Sequence, residues 1–372
     1  MKSKTFATEK REPLFHIVKR DQLPLEKSIL IRVIAIVCAL LFAGLLTFIL
    51  TGVNPVAFFS KMWIGAFGTG KNFLVTLKEL AILLCISVAV TPAFRMRFWN
   101  TGAEGQVIAG CLATAACMFY FQDWSLGILI PVMLVSALVA GAVWGVIPAV
   151  FKALFGTNET LFTLMMNYVA MRITRFFMNM WNKRGSTVDF TKLDPQQRIG
   201  SFFGGNRMYL IPFFVVIAVT FLMYGYLRYH KHGYEISVVG ESENTARYIG
   251  INVKKVIIRT MALSGLLCGL AGFLLVGTAQ NVSPDIAGGR GFTAIMVSWL
   301  AKFNPIIMIL ASLLIVVLQL GSLEIATELR VDPSFPDLIT GIILFFIIGC
   351  EFFVQYKIIF NHQKHAEKEE KQ

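Results

Sequence analysis

A chain of 372 residues that is 56% hydrophobic and only 15% charged, with a mean hydropathy of +0.67, carries more apolar surface than one soluble core can hide. This excludes an ordinary water-soluble domain and points to a membrane, whose hydrocarbon core of about 30 Å needs roughly 20 mainly apolar residues per crossing helix. The net charge of +12 reads as topological, with Lys and Arg gathered at the inner face, rather than as a footprint for nucleic acid.

The expected fold is all-α, a polytopic transmembrane helical bundle. Ten candidate spans follow in chain order: Ile29–Leu50, Phe73–Ala93, Glu104–Phe121, Leu126–Val150, Glu159–Met180, Tyr209–Tyr229, Thr260–Ala279, Gly289–Ala301, Pro305–Leu320 and Asp337–Tyr356. The basic leader, with Lys2, Lys4, Lys10, Arg11, Lys19, Arg20 and Lys27, sets the N-terminus inside. Ten crossings return the C-terminus to the same side. The expected organisation is a cytoplasmic segment over 1–28, a transmembrane domain over 29–356, and a cytoplasmic tail over 357–372. The first span is too long for a signal-peptide core and lacks a small-x-small cleavage site, so it is expected to stay attached.

GAFGTGKN, from Gly65 to Asn72, has the G-x-x-x-x-G-K spacing of a phosphate-binding loop. Asn72 stands where a Ser or Thr would hold magnesium, and an apolar helix follows with no strand before it. The expectation is an external turn. FWNTGAEGQ, from Phe98 to Gln106, then places Asn100, Glu104 and Gln106 at the head of the third span. A carboxylate inside a bilayer must face protein or water, so this stretch is a candidate polar lining for a solute path. The simpler reading makes Asn100 an N-cap and Glu104 a first-turn carboxylate favoured by the helix dipole.

A second polar knot, GTNETLFTLMMNY (Gly156–Tyr168), opens the fifth span. Thr157 or Asn158 can cap and Glu159 can serve the first turn, while Thr160, Thr163 and Asn167 share one face by their spacing of three and four. An outer loop over 181–208 follows. The largest inner loop, 230–259, contains a short rod from Glu243 to Ile249 that Ser242 can cap and Gly250 can stop. Two turns are marginal alone, so the rod is expected to meet a docking partner. The eighth span is too short to cross and reads as a broken helix or part of a re-entrant pair.

The six cysteines all fall within candidate spans without a C-x-x-C pair, and the five histidines lie in polar ends and loops. No metal site, cofactor or catalytic constellation is expected, and the chain is not read as an enzyme.

FWNTGAEGQ resembles the N-I-G-A-E-G-Q signature, and GTNETLFTLMMNY the G-T-N-E-x-x-x-T-L-M-x-N-Y signature, of inner-membrane permeases of nucleoside-type ABC importers, the branch paired with basic membrane lipoproteins. GESENTARYIGI is similar to that family's coupling segment and GRGFTAIMVSWL to its G-x-G-F-x-x-I-A-V-x-L helix. The resemblance covers about residues 29 to 355, within the branched-chain amino acid and ribose permease superfamily. Thr101, Met296, Ser298 and Trp299 depart from the usual pattern.

The resemblance implies a multi-pass protein of the bacterial cytoplasmic membrane that translocates nucleosides. Its implied partners are cytoplasmic ABC ATPase subunits, a second permease chain expected to be a different paralogue, and an extracytoplasmic substrate-binding lipoprotein. Residues carried over to the path are Phe98, Trp99, Asn100, Glu104, Gln106, Asn158, Glu159, Thr163, Asn167 and Tyr168. Those carried over to ATPase coupling are Gly240, Glu243, Asn244, Ala246, Arg247, Gly250 and Ile251. The rival reading is an ion-coupled secondary transporter or channel with Glu104 or Glu159 as the ion site. A docking rod on the inner loop is what a secondary transporter would not need. The spans also hint at two similar halves, one through the fifth and one from the sixth.

Overall fold

The computed structural model describes residues 15–20, 24–52, 54–182, 187–189, 205–279, 281–329 and 334–360. Among these there are thirteen helices: α1 (Leu25–Thr51), α2 (Pro55–Phe67), α3 (Gly70–Arg95), α4 (Ala103–Tyr120), α5 (Leu126–Phe155), α6 (Glu159–Trp181), α7 (Arg207–Tyr229), α8 (Lys231–Glu241), α9 (Glu243–Tyr248), α10 (Val253–Ala279), α11 (Arg290–Leu300), α12 (Pro305–Leu329) and α13 (Phe335–Gln355). Every expected span lies on a helix. Seven are long and apolar enough to cross a membrane. The polar residues of α4 and α6 and the shortness of α11 keep those three apart from the seven.

Two compact units make up the chain, 1–59 with 334–372 and 60–333. In the first, α1 packs on α13, with the rings of Phe42 and Phe346 5.5 Å apart. Two strands that the span pattern did not anticipate, β1 (Phe15–Lys19) and β4 (Tyr356–Phe360), pair antiparallel with Ile17 opposite Ile358. Both are short runs with β-branched residues at their centres. Their pairing requires both segments on one face of the membrane, as an even number of crossings does.

The second unit is built on α10 and α3, its most enclosed spans. Glycines set how closely the helices approach: a Cβ at Gly265 of α10 would run into the Gly141 carbonyl of α5, and one at Gly110 of α4 would lie 2.7 Å from the Gly269 Cα. Without a hydrophobic drive between helices in lipid, such backbone contact is the main source of packing energy.

The near phosphate-loop motif is a helix-to-helix turn. Thr69 caps α3 by accepting the Asn72 N–H at 3.1 Å, and Asn72 Nδ2 donates to the Ile64 carbonyl at 3.0 Å. After α10, β3 (Asn281–Val282) pairs with β2 (Val188–Asp189), and a loop with Gly288 and Gly289 in left-handed conformation leads into α11. At 11 residues, α11 spans about 16 Å, half a crossing.

Candidate translocation site

The chain leaves α3 through a tight reversal. Arg97, with φ +60°, donates its N–H to the Phe94 carbonyl at 3.0 Å, and the Phe98 N–H reaches the Ala93 carbonyl at 2.9 Å. The end of α11 repeats this pattern: Lys302 (φ +50°) donates to Trp299 at 2.9 Å and Phe303 to Ser298 at 2.9 Å. These paired carbonyl closures terminate both helices in the manner of a Schellman turn. The two turns meet, with the rings of Trp99 and Trp299 5.3 Å apart, and Phe94 stacks on Phe303 at 6.3 Å. Ser298, one of the departures from the family pattern, donates to the Ser87 carbonyl at 2.7 Å and so ties α11 to α3.

Glu104 is buried, yet neither its own helix nor solvent receives its charge. Its Oε1 accepts the Gly289 N–H and its Oε2 the Gly291 N–H, each at 2.7 Å. The carboxylate therefore caps the N-terminus of α11, where the helix dipole favours a negative group. A Cβ at Gly291 would sit 2.5 Å from the Glu104 backbone nitrogen, so glycine is needed for this approach. Arg290, at the same terminus, pairs with Glu79 of α3 at 2.8 Å, and Glu79 also meets Lys78 at 3.2 Å.

Asn100 does not cap α4 in the expected way. Its Oδ1 accepts the Gly102 N–H at 3.1 Å, and Gly102 itself occupies the cap position without a side-chain bond. Asn100 Nδ2 donates to Ser264 Oγ at 3.2 Å, and Gln106 Nε2 donates to Asn100 Oδ1 at 3.2 Å. Ser264 lies 11 residues inside α10, about 16 Å from its start. Across the other side, Asn167 Oδ1 accepts the Gly105 N–H at 2.8 Å while its Nδ2 donates to the Thr101 carbonyl at 2.9 Å. Thr101 and Thr163 share a hydroxyl contact at 3.0 Å.

The structure thus places Asn100, Glu104, Gln106, Thr163 and Asn167 together, buried and bonded to one another or to backbone. Phe98 is buried beside them. Trp99 and Tyr168 are exposed, at 44% and 58%. Asn158 caps α6 by accepting the Leu161 N–H at 3.2 Å, and Glu159 pairs with Lys152 at 2.7 Å. Glu79 and Arg290 escaped the sequence reading, although a carboxylate inside the second span and an arginine in the Gly-Gly-Arg-Gly run were the available signals.

At the cytoplasmic end, Ser242 caps α9 through the Thr245 N–H at 3.2 Å, and Gly250 ends it with φ +85°. Ala246 is buried, Glu243 and Arg247 pair at 3.1 Å, and Asn244, Tyr248 and Ile249 face outward. The preceding helix, α8, was not anticipated. Its buried positions His232, Ile236, Val239 and Gly240 follow a helical period. Gly240 packs directly on the backbone of Arg95 and Met96 at the end of α3. The α8–α9 elbow therefore touches the helix that carries the turn below Asn100. Ile251 closes the elbow with its N–H on the Ala246 carbonyl at 2.9 Å.

A family model described as the permease component of the branched-chain amino acid transport system matches residues 72–348. The chain belongs to this family. The permease is 29% identical over 328 residues to the guanosine ABC transporter permease protein NupP of Bacillus subtilis, covering 86% of this chain and 92% of that one. It is also 29% identical over 332 residues to the nucleoside ABC transporter permease protein NupB of Lactococcus lactis, with 86% and 91% covered. A glucose ABC transporter permease protein of Haloferax volcanii is 26% identical over 340 residues, with 87% and 88% covered. The chain is therefore a multi-pass permease of the cell membrane. Hydrolysis of ATP belongs to a separate subunit, and substrate-binding and ATPase partners in general come with the family.

Proposed function

We propose that this permease imports nucleosides, working with a second permease chain of a different kind, an extracytoplasmic binding lipoprotein and cytoplasmic ATPase subunits. The observation that carries the substrate is the 29% identity to guanosine and nucleoside permeases over 86% of the chain. The residues Phe98, Trp99, Asn100, Glu104, Gln106, Asn158, Glu159, Thr163, Asn167 and Tyr168 divide into two roles. The buried amides, Thr163 and Glu104 fix the frame in the conformation described, while Trp99 and Tyr168 offer exposed aromatic surface on which a base can stack.

The exposed face of α6 supports this division. Arg172 and Arg175 lie on that face beyond Tyr168, about 20 Å and 24 Å from the inner end of a helix about 34 Å long. A cation facing lipid at such depth is costly, so the face borders water or the second permease chain. At the inner end, Gly240, Glu243, Asn244, Ala246, Arg247, Gly250 and Ile251 form the elbow that an ATPase cleft receives. Closure on ATP then moves α3 through the Gly240 contact and rocks the bundle.

Uptake of labelled guanosine by cells carrying the whole importer tests the substrate. Competition by unlabelled nucleosides and indifference to excess glucose are expected. Competition by glucose alone would overturn the nucleoside reading.

A further inference from the structure

A cavity of about 500 Å³ lies where the inner ends of α3 and α7 meet α8 and the turn between α11 and α12. Three cations from separate segments, Arg95, Arg228 and Lys302, line it together with Tyr224, Tyr234 and Asn304, and none of its lining residues carries a carboxylate. Arg95 is half-buried and Lys302 exposed, and neither forms an ion pair among the described residues. Arg228 donates to the Tyr224 hydroxyl, and its guanidinium stands 5.7 Å from that ring's centroid. Like charges gathered at one concave site repel unless an anion joins them.

Their convergence is held by the backbone. Arg95 is fixed where Gly240 packs on it, and Lys302 and Phe303 both adopt left-handed conformations that side chains rarely take. We propose that this cavity binds the phosphate of an anionic phospholipid headgroup from the inner leaflet, and that the bound lipid braces the junction of α3, α8 and the α11–α12 turn. Arg95 ends α3, Arg228 is the penultimate residue of α7 and Lys302 follows the half-helix α11, so all three sit at inner helix ends, where headgroups and the tyrosines of an interfacial belt lie. Leu227, Phe303 and the ring of Tyr224 add apolar surface to the same lining, against which the start of an acyl chain can pack. Tyr248 of α9 and Ile249 after it are not among the lining residues, so the cavity lies on the α8 side of the elbow and apart from its outward tip.

The test uses the full chain in its purified importer complex, incorporated in nanodiscs of phosphatidylcholine with or without phosphatidylglycerol. Phosphatidylglycerol should be retained through native mass spectrometry and should raise the melting temperature. Inorganic phosphate at matched concentration should do neither. The double variant Arg95→Gln/Lys302→Gln should retain about thirtyfold less of that lipid, whereas Arg95→Lys, which keeps the charge, and Lys254→Gln/Lys255→Gln, which lies outside the cavity, should behave as the parent. Unchanged lipid retention by the double variant would overturn the site. An equal effect of inorganic phosphate would overturn the lipid source. Loss of ATPase co-purification with lipid retention intact would assign the cations to a protein partner and overturn it as well.

Discussion

Glu104 shows how a charge is made tolerable inside an apolar bundle. Both carboxylate oxygens accept backbone N–H groups at the start of α11, so the cost of burial is offset by two charge-assisted bonds and the helix dipole. Glu104→Gln keeps the size but sets an amide N–H against one of those donors, a mismatch worth about 1–3 kcal/mol. The expected result is a lower thermal midpoint in detergent and faster amide exchange at residues 289–293, together with reduced uptake. A variant as stable and protected as the parent would remove the capping role.

His232 gives a pH prediction of known sign. Its ring accepts or donates between Tyr226 at 2.6 Å and Thr260 at 3.4 Å, and burial, with Arg259 nearby, holds its pKa below the ordinary value, against the smaller opposing pull of Glu235. The neutral ring is the packed form. Its contribution is present above the unfolded value of about 6.5 and is lost as pH falls through the lower folded value. The protection of α8 amides, corrected for the slower intrinsic exchange at low pH, should therefore fall on acidification below about pH 6.5, and His232→Gln should flatten that dependence. Equal acid sensitivity in the variant would place the titrating group elsewhere. The polar residues of FWNTGAEGQ were legible in the sequence as exceptional. Their partners were not, because Gly289 and Gly291 lie 185 and 187 residues from Glu104, and nothing local marks a carboxylate as the cap of a distant helix.

Among the elements, the short rod α9 was readable because Ser242 and Gly250 are strong local punctuation. Helix α8 was not, since His232, Gly233 and Gly240 dilute its apolar face and their burial depends on α3, α7 and α10. Half-helix α11 could be read only as too short to cross; its anchor through Arg290 and Glu79 is tertiary. Gly250→Val forces a β-branched residue into φ +85°, where only glycine is at ease. Uptake should be lost while the permease still reaches the membrane, and the ATPase should co-purify poorly. Normal transport by that variant would remove the elbow from the mechanism.

For the whole molecule, the apolar spans and the basic inner ends follow from composition and periodicity, whereas the pairing of β1 with β4 joins segments more than 300 residues apart and leaves no periodic trace in the sequence. What unites the scales is a division of labour. A polar joint of Asn100, Glu104, Gln106 and Asn167 holds three helices and a half-helix around a turn, and the cytoplasmic elbow touches the helix entering that turn through Gly240. On the function proposed above, such a chain supplies a path and a lever, and the motor is the separate ATPase subunit. The most direct measurement is nucleoside uptake by proteoliposomes containing the complete importer, compared with the permease chain alone under an imposed proton or sodium gradient. Accumulation should require ATP hydrolysis by the separate subunit and should vanish without it. Uphill transport by the permease alone on an ion gradient would contradict the account.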